Sequence, residues 1–116
     1  MRFNVPLLIL LLLVGGCRKP DGKVLGKPPK GTVYNILAVN AGDTPPQVTI
    51  EGVMIDKCPL AGCWFHLRDR TGTIKVDTKA AGFVVVDLPL ETRLTVAGKV
   101  VPDGKDTALE ATGLRY

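Results

Sequence analysis

The chain has 116 residues and a formal net charge of +4, from 15 basic and 11 acidic side chains. This length accommodates one domain and leaves no room for a second of ordinary size. The basic excess is mild: it suits a position near an anionic membrane, but it is too small to indicate nucleic-acid binding.

Residues 1–16 have the pattern of a signal peptide. The charged Arg2 precedes an apolar run, Pro6 to Val14, that is too short to span a bilayer stably. Two glycines and then Cys17 follow at once. This order resembles the lipobox of bacterial lipoproteins. The resemblance implies cleavage before Cys17, a diacylglycerol on its sulfur and acylation of its amine, for example with palmitate, which would anchor the protein to a membrane surface without a span.

Arg18 follows the cysteine, so an Asp that would signal inner-membrane retention is absent. We expect location in the cell envelope at the outer membrane, facing the periplasm, in an organism that has one. The alternatives are an ordinary secretory signal with an incidental cysteine, or an N-terminal membrane anchor. Residues 17–31 are rich in Lys, Pro and Gly without periodicity, which predicts a disordered tether between the lipid and a domain at residues 32–116.

Short apolar runs with a period of two, separated by Gly, Pro and Asp, make residues 32–116 typical of an all-β domain. Two glycines, Gly52 and Gly98, stand inside predicted strands and indicate bends or bulges. Five main strands with two such bends favour a five-stranded OB-type barrel over a small open β-sandwich. The predicted strands are 47–56, 64–69, 73–77, 93–101 and 107–116, with a first strand or edge piece at 32–39, a short helix or loop at 78–83 and an edge segment at 84–88.

The pattern Thr49-Ile-Glu-Gly-Val, Cys58…Gly-Cys-Trp-Phe and Leu67 to Val76, followed by Gly98-Lys-Val, resembles OB-fold domains over residues 47–116. The part from Leu67 to Val76 is similar to strands of nucleic-acid-binding OB folds, including the anticodon-binding type. The Cys…Gly-Cys-Trp element resembles a family of small bacterial extracytoplasmic OB-fold domains without a characterised activity. The resemblance implies a barrel and a recurring Cys-Cys-Trp site.

The stretch from Cys58 to Asp69 concentrates the unusual residues, including the only Trp and the only His of the chain. Two thiolates and the imidazole of His66 are a candidate set for a soft metal such as copper or zinc. The spacing of Cys58, Cys63 and His66 differs from that of zinc fingers. Asp69 is a candidate fourth ligand, although its position favours capping a turn. Cys63 and His66 have opposite parity in a strand, so they converge only across a bulge.

Two other interpretations of Cys58 and Cys63 stay open. An even pair of thiols in an oxidising compartment predicts a structural disulfide, although a loop this short removes little chain entropy. A redox-active pair is the third interpretation, with a wider spacing than Cys-x-x-Cys and no helix N-terminus to lower a thiol pKa.

The outer face of the second and third predicted strands carries Trp64, Arg68 and Lys75, on the usual ligand side of an OB barrel. Trp64 is either a packed aromatic or a stacking platform for a base or sugar. The chain contains no Ser, a single His and no paired carboxylates in a plausible cleft, which indicates binding rather than catalysis. We therefore expect a membrane-anchored OB-fold binding module with a Cys58–Cys63–His66 metal site. The alternative is an interaction module for an envelope protein, an oligosaccharide or, least favoured by the compartment, an oligonucleotide, with a structural disulfide.

Overall fold

The computed structural model describes residues 22–116, so the predicted signal peptide and Cys17 lie outside the described residues. In this part of the chain no helix has the length and apolar character needed to cross a bilayer. The elements in chain order are β1 (Val24–Gly26), β2 (Val33–Tyr34), α1 (Ile36–Asn40), β3 (Gln47–Lys57), β4 (Trp64–Arg68), β5 (Thr73–Asp77), β6 (Arg93–Asp103) and β7 (Asp106–Arg115).

Strands β3 to β7 close into a barrel. The long strand β3 pairs with β4 along one part and with β6 along another, and the circuit continues from β4 to β5, from β5 to β7 and from β7 to β6. Only the β5–β7 pair is parallel among these five ladders. The prediction of an all-β, five-stranded OB-type barrel is confirmed, and closure leaves these strands without free edges.

Alternating side chains of the five strands fill the barrel. The largest fully buried ones include Phe65 and Leu67 of β4, Met54 of β3 and Leu109 of β7, and on β4 the neighbouring side chains Trp64, His66 and Arg68 point to the outer surface. Each such side chain contributes roughly 1.5–3 kcal/mol through removal of apolar surface from water. The core is therefore made by the period-two residues that the sequence pattern indicates.

The bends lie close to the predicted glycines but do not coincide with them throughout. In β6 the register against β7 shifts between Ala97 and Gly98, as the glycine indicates. In β3 the register against β4 shifts between Met54 and Asp56, three residues beyond Gly52. Gly52 serves another purpose, because a Cβ there would lie 2.4 Å from the Arg68 carbonyl oxygen. The shift at Ile55 decides which β3 side chains face the ligand side of the barrel.

The N-terminal part of the domain differs from the sequence expectations. Strand β1 lies within the predicted tether, residues 17–31, yet it pairs with β7, so ordered structure begins before residue 32. The predicted strand 32–39 is divided between β2, which runs parallel to β3, and helix α1. Asn35 caps this helix by accepting a hydrogen bond from the Ala38 N–H at 2.8 Å. The helix buries Ile36 and Val39 completely and thereby covers one end of the barrel.

The segment from Thr78 to Thr92 crosses the other end without a helix or strand. Val85 and Leu88 are buried in it, so it closes the core. Of the predicted short helix or loop at 78–83 the structure has the loop, and the predicted edge segment at 84–88 does not form a strand. Lys57 holds this segment, since its ammonium donates to the carbonyl oxygens of Val85, Val86 and Leu88.

Candidate functional site

The loop from Cys58 to Cys63 connects β3 to β4 and is fixed at both ends. The ladder extends into it through a 3.0 Å hydrogen bond from the Cys58 N–H to the Trp64 carbonyl, and the Gly62 N–H donates to the Cys58 carbonyl at 3.1 Å. Gly62 has a φ of +64°, and a Cβ there would lie 2.5 Å from the Val86 nitrogen. Only glycine fits at this contact, so the loop is pressed against the segment after Thr78.

Cys58 and Cys63 are both free thiols and both are partly exposed. The structure therefore does not contain the predicted structural disulfide. The pKa of Cys58 is lowered to about 7, first by hydrogen bonds from the backbone N–H groups of Ala61 and Leu60, against which partial desolvation acts, and then by Gly62 and the Cys63 thiol. The loop thus stabilises one thiolate without the helix N-terminus or cationic side chain that usually does so.

His66 lies on the outer face of β4, where its Nδ1 is 2.7 Å from the Asp56 Oδ1. The His66 N–H also donates to this oxygen at 3.2 Å. The two residues are register partners because the shift at Ile55 turns Asp56 to the outer face. Both side chains stay accessible, at 35% and 55% relative exposure, which leaves the other ring nitrogen able to meet a ligand.

The structure does not assemble the predicted metal set. Among residues 22–116, no three His, Cys, Asp or Glu side chains are grouped so that they could hold a metal ion. Cys58 and Cys63 stand at the two ends of one hydrogen-bonded loop, whereas the His66 Nδ1 lies 2.7 Å from the Asp56 Oδ1. The opposite parity of Cys63 and His66 already argued against convergence in the sequence, and the bulge that would reconcile them lies in β3 instead of β4.

The carboxylate of Asp69, the candidate fourth ligand, is hydrogen-bonded within the turn that follows β4 and to helix α1. Its Oδ1 accepts hydrogen bonds from the N–H groups of Thr71 at 2.7 Å and Gly72 at 3.0 Å, and its Oδ2 accepts from the Ile36 N–H at 2.9 Å. Burial raises the pKa of Asp69, but the hydrogen bonds outweigh it and the net pKa is lowered. This carboxylate caps the turn and the first turn of α1.

The predicted ligand face divides into two places. Lys75 pairs with His66 across the β4–β5 ladder, and its ammonium lies 5.6 Å from the centroid of the Trp64 ring. The Trp64 and His66 rings meet edge to face at the same centroid separation, 5.6 Å. These three side chains therefore form one cluster, which we call the Trp–His–Lys cluster. Arg68 lies at the far end of β4 and lines a separate groove.

A groove of about 320 Å³ continues from this cluster toward the β6–β7 turn. Its polar lining combines both charges, with Lys75 and Lys105 opposed by Asp103 and Asp106. The complete lining is Asn40, His66, Thr73, Ile74, Lys75, Asp103, Lys105, Asp106 and Thr107. The outer surface of β4 and β5, together with this hairpin, is the side on which OB barrels bind ligands.

Sequence reasoning missed Asp56 as the partner of His66 and missed the β6–β7 turn as the wall of the groove. No sequence signal locates the register shift at Ile55, so the Asp56–His66 contact could not be predicted from the sequence. The turn Asp103-Gly104-Lys105 was recognisable, and the OB topology alone could have placed it beside β5.

No protein-family model and no curated protein matches this chain. Solved structures that match it include that of the hypothetical protein ygiW from E. coli, with a TM-score of 0.55 and 18% sequence identity. The alignment covers 76% of this chain and 92% of that chain. At this identity the likeness shows the fold, and it agrees with the five-stranded OB-type barrel described above.

Proposed function

We propose that this chain is a membrane-anchored OB-type binding module that holds an extended polar ligand on the outer face of β4 and β5, and that the ligand is an oligosaccharide. The observation that carries this proposal is the polar groove that runs from His66 and Lys75 to the β6–β7 turn. Trp64 does not line this groove, but its ring centroid lies 5.6 Å from the Lys75 ammonium, so an aromatic platform stands next to the groove. Aromatic side chains offer an apolar surface with little conformational entropy to lose.

The mixed charge of the groove favours a sugar over a nucleic acid. Affinity for a nucleic acid comes largely from neutralising phosphates, and Asp103 and Asp106 would oppose a phosphate beside Lys75 and Lys105. Hydroxyl groups donate and accept, so they can use carboxylates and ammonium groups in the same groove. Trp64 is the only Trp of the chain, and single-stranded nucleic acids usually need several stacking platforms.

The binding test uses the full chain in detergent and a tetramer of N-acetylglucosamine as the probe. We expect quenching or a blue shift of the Trp64 fluorescence, and weaker binding by about tenfold or more for Lys75→Ala, the loss expected when a charged hydrogen bond is removed. Lys79→Ala is the matched control, because Lys79 lies outside the groove and is 69% exposed. Binding of oligothymidylate in place of the sugar, or equal losses for Lys75→Ala and Lys79→Ala, would overturn the proposal.

We further propose that a lipid on Cys17 attaches the module to the membrane facing the periplasm, which places the groove among envelope glycans and proteins. This part is supported by the order of residues around Cys17. Cys17→Ser should move the protein from the membrane fraction to the soluble fraction. Mass spectrometry of the wild-type N-terminal peptide should show acyl chains on the cysteine, and an unmodified Cys17 would contradict the attachment.

The soft-metal function has weaker support, because the described residues do not bring His66 to the two thiols. Copper or zinc at Cys58, Cys63 and His66 would require His66 to leave Asp56. Metal stoichiometry on the reduced protein, compared with a Cys63→Ser, His66→Ala double variant, tests it directly; equal uptake by the two proteins would exclude this site.

A further inference from the structure

The two thiols of the β3–β4 loop have no part in sugar binding, and their surroundings are unequal. The Cys58 N–H donates to the Trp64 carbonyl and the Gly62 N–H donates to the Cys58 carbonyl, so the two ends of the loop, each with a partly exposed cysteine, are held together. Hydrogen bonds from the backbone N–H groups of Ala61, Leu60 and Gly62 and from the Cys63 thiol also lower the pKa of Cys58. Cys58 therefore has the donors that stabilise a thiolate, while Cys63 is in contact as a second thiol. This is the asymmetry that divides an attacking thiol from a resolving thiol.

We propose that Cys58 and Cys63 are a thiol–disulfide exchange couple that reacts with disulfide-bearing peptides or small disulfides, with Cys58 as the attacking group and Cys63 as the resolving group. In the first step the Cys58 thiolate attacks one sulfur of the external disulfide. A mixed disulfide forms at Cys58, and the other half leaves as a thiolate that takes up a proton. In the second step Cys63 loses its proton and attacks the Cys58 sulfur. The Cys58–Cys63 disulfide forms and the second half leaves as a thiol, so one external disulfide is reduced to two thiols and one internal disulfide is made.

The loop is built so that a partner can reach Cys58. Leu60 is 91% exposed, and its neighbours Pro59 and Ala61 are exposed as well. An exposed apolar side chain beside the attacking sulfur offers a contact for the apolar part of a peptide. The hydrogen bonds from Cys58 to Trp64 and from Gly62 to Cys58 meanwhile hold the two ends of the loop together.

A disulfide at this position would contribute little to folding. The loop that it closes contains only four residues, 59–62, and the chain entropy removed by a cross-link falls with loop length. Backbone hydrogen bonds from Cys58 to Trp64 and from Gly62 to Cys58 already hold the ends of the loop together, so a cross-link would add little further restraint. A disulfide that contributes little to the stability of the barrel is better suited to thiol–disulfide exchange than to a structural role.

The test uses the full wild-type chain in detergent, equilibrated with reduced and oxidised glutathione at several ratios. After acid quenching and alkylation, trypsin cleavage following Lys57 and Arg68 yields one peptide, residues 58–68, that contains both cysteines. We expect the peptide to pass from doubly alkylated to an internal disulfide, with the mixed disulfide only a minor species. A stable mixed disulfide without ring closure, or a pair that stays reduced at every ratio, would overturn the proposal.

The roles of the two thiols are tested with Cys63→Ser and Cys58→Ser. Cys63→Ser should stop at a glutathione adduct on Cys58, while Cys58→Ser should form its adduct about fivefold more slowly, since the lowered pKa of Cys58 raises its own thiolate fraction and its lower basicity offsets part of that gain. The double serine variant should form no adduct in this peptide. Limiting iodoacetamide on the unmodified chain checks the order without any substitution: fragment ions should place the first label on Cys58. Equal rates, or first labelling at Cys63, would refute the assignment.

Discussion

The two turns that flank β4 use the same local geometry for different purposes. Before the strand, the backbone N–H groups three and two residues ahead of Cys58, at Ala61 and Leu60, lower the pKa of its thiol. After the strand, the Asp69 Oδ1 accepts from N–H groups two and three residues ahead, at Thr71 and Gly72. Both turns stabilise an anion through the backbone, and both lower the pKa of the residue that carries it.

The difference lies in what the rest of the fold places opposite each anion. The second oxygen of Asp69 meets the Ile36 N–H, so this carboxylate joins the barrel to α1 and has little capacity left for a ligand. Cys58 instead meets another thiol and solvent. A backbone-stabilised anion is therefore structural where a second element completes its hydrogen bonds, and chemically available where none does.

Asp69→Ala should give the largest effect, raising the unfolding equilibrium constant about thirtyfold, or about 2 kcal/mol, the upper range for loss of a helix or turn cap. Three backbone N–H groups lose their acceptor in this variant. Urea titration followed by circular dichroism measures the change. Asp43→Ala is the matched control, because Asp43 is exposed and near α1, and it should change stability little. Equal midpoints for the two variants would show that the Asp69 network is not structural.

The pH dependence of this loss has a defined sign. A carboxylate with a lowered pKa in the folded state stabilises the fold above the pKa of an unfolded Asp, about 4, and that contribution disappears as the pH falls through the lowered folded-state value. The stability difference between wild type and Asp69→Ala should therefore be constant near neutral pH and should shrink in acid. A difference that grows in acid would contradict the assignment.

The second effect concerns Cys58 itself. Its pKa of about 7 predicts that about half of the thiol is ionised at pH 7, about fifteenfold more thiolate than an unperturbed cysteine of pKa 8.5 would carry. Charged groups next to it on β3 are Asp56, bonded to His66, and Lys57, bonded to the carbonyls of residues 85–88. Thiolate absorbance near 240 nm, as the difference between wild type and Cys58→Ser, should rise with a midpoint near pH 7. A midpoint at pH 8.5 or above would mean that Cys58 ionises like an ordinary thiol and would contradict the lowered pKa.

The sequence could predict the barrel because the strands of its central hairpin, β4 and β5, alternate strictly between buried and outward-facing residues. Phe65 and Leu67 against Ile74 and Val76 define two strands and their inner faces without any tertiary information. Helix α1 was not predictable in the same way, because a five-residue helix spans too few turns to show a periodicity of 3.6. Its one usable sign was Asn35, a good N-cap residue, which a pattern dominated by strand formers obscured.

The candidate site was predictable in composition but not in arrangement. The sequence indicates that the Cys58–Cys63 loop and the outer face of β4 belong to one region, and the structure agrees. The sequence does not reveal the register shift at Ile55. This shift reverses which face of the sheet the β3 residues after Ile55 point to. Because of this shift, Asp56 points to the outer surface and contacts His66, and Lys57 points to the opposite face and donates to the Val86 carbonyl. A metal set built on residue types alone could not anticipate that His66 already has a partner.

Lys57 provides the third test, since it supports the segment against which the reactive loop rests. Lys57→Met keeps an unbranched apolar stem and removes the ammonium that serves the carbonyls of Val85, Val86 and Leu88. We expect about a tenfold larger unfolding constant, or about 1.5 kcal/mol, the lower range for hydrogen bonds to a charged group. Hydrogen exchange should also increase at Val85, whose N–H donates to the Gly62 carbonyl.

Lys79→Met is the control for this substitution, because the Lys79 ammonium is exposed and lies 3.7 Å from the Asp77 carboxylate. An exposed pair of this kind contributes little to stability. If Lys57→Met and Lys79→Met change the unfolding constant equally, water can replace the Lys57 ammonium as the hydrogen-bond donor to the carbonyls of residues 85–88. The position of the Cys58 loop would then not depend on Lys57.

The smallest stability effect should come from the Asp56–His66 pair. In this pair the Asp56 carboxylate contacts the His66 Nδ1 and so fixes the orientation of the ring. Both side chains are accessible, so a double-mutant cycle with Asp56→Ala and His66→Ala should give a coupling of only about twofold in the unfolding constant. The affinity for the sugar probe should fall by more than this in Asp56→Ala, because the ring loses the carboxylate that orients it toward the groove. A coupling of tenfold or more, with unchanged sugar affinity, would make the pair a structural clamp like that of Asp69. His66 would then belong with the structural turn after β4 and not with the accessible groups before it.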